Sequence, residues 1–133
     1  FKGNADSSIP EYSFHWTGRS KYLLLFEAPI DMLSFISMHK KNWQQHSYAA
    51  ACSVSDRVLF QMLKDNPNIS EVFLCMDSDE PGQTAAKRIS DKLFTQGINA
   101  KILVPEHKDW NEDLLALNQE ESEVEEPCQV LQL

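Results

Sequence analysis

Three stretches of this sequence run apolar and then finish on acid. YLLLFEAPID carries Glu27 and Asp31, VFLCMDSDEPG carries Asp77, Asp79 and Glu80, and ILVPEHKD reaches Asp109. Asp77 and Asp79 stand two residues apart, so in extended backbone both side chains point to one side, with Cα atoms roughly 6 to 7 Å apart. Two unit charges about 5 Å apart repel by roughly 3 kcal/mol at an effective dielectric near 20, and each further carboxylate adds to that cost. A hard divalent cation offsets it directly. Mg²⁺ takes carboxylate oxygens and water and leaves positions open for phosphate oxygens, and Mn²⁺ can stand in for it. No softer site competes, because Cys52, Cys75 and Cys128 are far apart and His15, His39, His46 and His107 lack metal-ligand spacing.

Each acid also has a plainer reading. Asp31, Glu80 and Asp109 precede or open helical patterns, where a carboxylate caps backbone N–H groups or meets the positive end of the helix dipole. Asp77 and Asp79 exceed that need, since Pro81 marks the helix start and one cap requires one acid. Glu27 directly follows a buried strand, a position suited to a group that gives or takes a proton.

The elements that must carry these acids are legible as alternating strands and helices. Tyr22–Phe26 reads as a fully buried strand, and the next helix is opened by Pro29, packs through Ile30, Met32, Leu33, Phe35 and Ile36, and ends at His39-Lys40-Lys41. SYAAACSV is a second strand. Ser55 or Asp56 caps a helix bearing Val58, Leu59, Met62 and Leu63, stopped by Asn66-Pro67-Asn68. The third strand ends at Met76, and Pro81 begins a helix with Ala85, Ile89 and Leu93 on one face and Gly97 at its end. NAKILVPE is the fourth strand, followed by a short helix on Leu114, Leu115 and Leu117, with Trp43 and Trp110 covering helix ends. The alternation predicts an α/β, Rossmann-like fold: about four mainly parallel strands flanked by helices, plus an extra N-terminal strand from YSFHW. The C-terminal strand ends then share one rim, which would gather the acids.

Taken alone, the formal net charge of -8 argues against a nucleic-acid partner. Its distribution weakens the objection: the segment from Asp109 to Leu133 has eight acids and no Lys or Arg, whereas Phe1 to Lys108 has twelve of each sign and sums to zero. The expected organisation is a tail of an upstream region or added strand over residues 1–20, one domain over 21–117, and an acidic tail or linker over 118–133. A start at FKGN reads as a piece of a longer protein. No run of 18 apolar residues and no signal peptide is visible, so neither membrane nor secretion is indicated, and three dispersed cysteines fit reduced thiols in a cytoplasm.

The pattern of LLLFEAPIDMLS, VFLCMDSDEPGQTAAKRI and HKDWNEDLLAL resembles the Toprim domain of primases, topoisomerases and related nucleases, and within it the primase-like type of DNA-processing, relaxase-associated proteins of mobile elements. The resemblance covers Tyr22 to about Leu117. It implies Mg²⁺-dependent phosphoryl transfer on DNA or RNA, reached through a full-length parent. Glu27 would be the general acid or base, and Asp77 and Asp79 would hold one or two Mg²⁺. Asp31, Asp109 and Glu80 would be auxiliary, Lys108 a phosphate contact, and Gly82 the glycine of Asp-x-Asp-x-x-Gly. Asn111 departs from the pattern, standing where several primases have a second Asp. Two other readings remain: a non-catalytic metal-binding module that positions DNA, and a phosphoacceptor domain using Asp77. The last is disfavoured because receivers and haloacid-type phosphatases place their acid pair after the first strand, where this chain has Glu27-Ala-Pro.

Overall fold

The structure, a computed structural model, describes residues 14–51 and 56–120. The strands are β1 (His15–Trp16), β2 (Tyr22–Phe26), β3 (Ser47–Ala50), β4 (Glu71–Cys75) and β5 (Asn99–Ile102). The helices are α1 (Pro29–Met38), α2 (Arg57–Asp65), α3 (Glu80–Thr95) and α4, which covers residues 110–120, with a 3₁₀ turn at Trp43–Gln45. One five-stranded sheet runs β1-β3-β2-β4-β5. β2, β3, β4 and β5 are parallel, and the short β1 joins the edge antiparallel to β3. The expected fold class is the one observed, down to the added N-terminal strand at His15–Trp16.

Successive strand residues face opposite sides of the sheet, and both sides are covered. Leu23, Leu25, Val72 and Leu74 pack with α2 and α3 into one cluster, while Leu24, Phe26, Tyr48 and Cys75 pack with Met32 and Trp110 into another. That explains why YLLLF is apolar throughout rather than alternating. Burial pushes the Cys75 thiol well above its usual pKa, consistent with an unreactive core thiol. Cys52, Cys128 and Ser55 lie outside the described residues. Among the described residues, no helix is long and apolar enough to cross a membrane.

The structure corrects several local expectations. On α1 the buried residues are Asp31, Met32 and Ser34, while Ile30 and Leu33 are exposed, because the helix turns its polar Asp31–Ser34 edge towards α4. α1 ends at Met38, so Lys40 and Lys41 lie beyond its last turn. Asp56 stands at the α2 N-cap without capping it, its carboxylate being drawn instead to Arg88 and Lys92 of α3. α4 is anchored by buried Trp110, with Leu115 and Leu117 exposed. Past α3, Gly97 adopts φ +76°, the left-handed conformation expected at a helix end.

Register now brings two strand ends together. Phe26 pairs with Cys75, so Glu27 leaves β2 beside the segment that carries Asp77 out of β4. From β2 the chain moves first to β3 on one side and then to β4 on the other. The crevice between the ends of β2 and β4 is therefore the switch point where open α/β sheets bind ligands.

Candidate metal centre

One carboxylate oxygen from each of Glu27, Asp77 and Asp79 lies within 4.8 Å of the others, and the same holds for Asp31, Asp77 and Asp109. Asp77 belongs to both sets. Its backbone N–H donates to Glu27 Oε1 at 3.3 Å, and its carbonyl accepts from Gln83 Nε2 at 2.8 Å. Its Oδ1, by contrast, is buried without a hydrogen-bond partner. Burial, and then the charges of Glu27, Asp31, Asp109 and Asp79, push the Asp77 carboxyl up to about 7.

The other acids divide between scaffold and cluster. Asp79 is the N-cap of α3, its Oδ1 accepting from Gly82 N–H at 2.9 Å, so the cap and the cluster share one side chain. Asp109 caps α4 through Glu112 N–H at 2.9 Å. Asp31 is buried, its carboxyl raised chiefly by desolvation, and its Oδ1 accepts from Asn111 N–H at 3.2 Å. Glu80 is exposed in the first turn of α3 and belongs to neither set; Lys108 is exposed, and its carbonyl accepts from Ser78 N–H at 2.8 Å. Asn111 accepts from the Ser34 hydroxyl at 3.2 Å and thereby joins α4 to α1.

Gly82 explains how the loop can turn so tightly. A Cβ there would lie 2.3 Å from the Asp77 carbonyl oxygen and 3.0 Å from Asp79 Oδ1, so any larger residue would push the two aspartates apart.

Three residues shape the centre without being visible as site residues in the sequence. Trp110 is buried and donates through Nε1 to the Cys75 carbonyl at 3.0 Å, which pins α4 to the end of β4. The Ser78 hydroxyl donates to the His107 carbonyl at 2.8 Å. Asp113 accepts from Glu106 and His107, gathering the loop that reaches Ser78. Only the adjacency of Trp110 to Asp109, and of Ser78 to both aspartates, hinted at them.

The donor set fits a hard divalent ion. It offers carboxylate oxygens alone, one of them buried and unpartnered, and the charges acting on Asp77 are all of its own sign. Asp77 and Asp79 could hold such an ion with Glu27 beside it, and Asp31 and Asp109, which form a second set with Asp77, could add to it.

The chain shares its fold with the primase fragment of the bacteriophage T7 primase-helicase protein, at 21% identity and a TM-score of 0.57 over 84% of this chain and 44% of that one. It likewise resembles the structure of T7 lagging-strand DNA polymerase interacting with primase domains of two gp4 subunits bound to an RNA/DNA hybrid and dTTP, at 22% identity and a TM-score of 0.54, covering 84% of this chain and 54% of that one. The chain thus spans about half the length of these structures. No curated protein sequence matches it. The Toprim-like family matches residues 24–114, and the chain belongs to that family.

Proposed function

We propose that this domain is the Mg²⁺-dependent centre of a primase-like protein that performs nucleotidyl transfer or phosphodiester cleavage on DNA or RNA. The observation that carries the proposal is the buried, unpartnered oxygen of Asp77 inside a set of three carboxylates. Asp77 and Asp79 would hold the ion, and Mn²⁺ could replace Mg²⁺; a bound ion of this kind neutralises charge on a phosphate and on the attacking and leaving oxygens. Glu27, at the end of β2 and within reach of the same space, would hold or deliver the proton of the attacking or leaving oxygen. Asp31 and Asp109 would be auxiliary ligands or would orient Asp77. Lys108, on the loop beside Ser78, would meet phosphate. The structural likeness to T7 primase domains, one group of them bound to an RNA/DNA hybrid, supports the choice of nucleic acid as partner. A cytoplasmic protein of a mobile element, larger than this chain, is the setting we favour.

Turnover of a labelled primer–template or single-stranded DNA by the longer protein tests this. Glu27→Gln is expected to lower the rate by about 10² to 10⁴ while metal binding persists, the range for loss of a general acid or base. An unchanged rate would remove Glu27 from the chemistry.

A further inference from the structure

Acids that share an ion must keep their spacing, and we infer that Asp113 fixes it, acting as a positioning residue through the loop of residues 106–109. Asp113 lies in the first turns of α4 and belongs to neither carboxylate set. Its Oδ2 accepts from Glu106 N–H at 3.0 Å, and its Oδ1 accepts from His107 N–H at 2.8 Å and meets His107 Nδ1 at 2.6 Å. Both oxygens are thus committed to the loop. The loop in turn grips Ser78 twice: the His107 carbonyl accepts the hydroxyl and the Lys108 carbonyl accepts the N–H, each at 2.8 Å. Ser78 is the residue between Asp77 and Asp79, so a path of hydrogen bonds leads from Asp113 to the spacing of the two aspartates.

A simple surface ion pair with His107 would contribute little. Here the carboxylate also holds two consecutive backbone N–H groups of a loop whose Glu106, His107 and Lys108 are all exposed, and little apolar burial holds those residues in place. The same loop ends in Asp109, so its position bears on both carboxylate sets.

This inference rests on the metal-binding reading, and its test separates the two. Mn²⁺ affinity is measured for wild type, Asp113→Asn, Ser78→Ala, the double variant, and Met62→Ala, a core change in α2 that lowers stability and belongs neither to the loop nor to either carboxylate set. Asp113→Asn is expected to weaken Mn²⁺ by about 10-fold or more, in the range seen when groups that orient metal ligands are removed. Ser78→Ala is expected to weaken it less, and the double variant to be no worse than Asp113→Asn, because both act on one path. Met62→Ala should leave affinity unchanged. Asp113→Asn within twofold of wild type, or fully additive effects, would overturn the inference. If wild type binds no Mn²⁺, the metal reading fails on its own, and the backbone amide resonances of Ser78 and Asp79 in Asp113→Asn then decide: displaced resonances support the path and unmoved ones overturn it.

Discussion

Replacing Asp77 by Asn should stabilise the metal-free protein at neutral and alkaline pH, the reverse of what removing a well-placed core residue does. The Asp77 oxygens sit within 4.8 Å of oxygens on Glu27 and Asp79 and again on Asp31 and Asp109. At that separation a pair of charges repels by about 3 kcal/mol at an effective dielectric of 20 and by about 1 kcal/mol in water. Asp77 is half-buried, so screening holds the total released by the neutral amide to about 2 kcal/mol.

The pH dependence gives the sign. The folded protein keeps the Asp77 proton up to about 7, whereas the unfolded chain loses it near the ordinary value of 3.8. Wild-type stability from this group is therefore greatest below about pH 4, declines as pH rises, and levels off above about pH 7 to 8. Asn cannot titrate, so its advantage opens over the same window. Thermal melts in EDTA at pH 4.5 and pH 8 are the assay. At pH 8 Asp77→Asn is expected to melt about 5 to 10 °C higher, from roughly 4 °C per kcal/mol for a domain of this size, and the difference should largely close at pH 4.5. Saturating Mg²⁺ should reverse the order at pH 8, since wild type alone gains binding energy, about 2.7 kcal/mol at 100 times Kd. An Asn variant that is less stable by the same amount at both pH values would refute the reasoning that Asp77 is a destabilising charge held for a ligand.

Other outcomes follow from the same geometry. Gly82→Ala places a methyl 2.3 Å from the Asp77 carbonyl oxygen; it should cost about 1 to 3 kcal/mol in denaturant titration and weaken Mn²⁺ binding as well. Trp110→Phe keeps most of the buried ring but leaves the Cys75 carbonyl without its donor, for an expected loss of about 1 to 3 kcal/mol by chemical denaturation. Fluorescence anisotropy should find weak DNA binding by this chain alone, with a shallow salt dependence, because residues up to Lys108 carry no net charge and the remainder is acidic, so few counterions are released.

Much of the fold could be read directly, because apolar strands buried on both faces and helices punctuated by Pro29, Pro81 and Gly97 leave strong local signals. The convergence of Glu27, Asp77 and Asp79 could also be anticipated, since parallel strands deliver their C-terminal ends to one rim. Helix orientation was less legible: Ile30 and Leu33 look like core residues, but α1 rotates so that Asp31 and Ser34 face Asn111, and no periodicity reveals which neighbour a helix will meet. The double duty of Asp79 as cap and cluster member was equally hidden, because counting caps treats each acid as having one role. Trp110, Ser78 and Asp113 act through contacts with residues about 30 apart or across a loop, and residue type alone does not specify such contacts.

Calorimetric titration of Mg²⁺ and Mn²⁺ into wild type and into Asp77→Asn/Asp79→Asn tests the metal centre most directly. Saturable binding by wild type that is lost in the double variant is the expected result; equal, negligible heats from both proteins would contradict it.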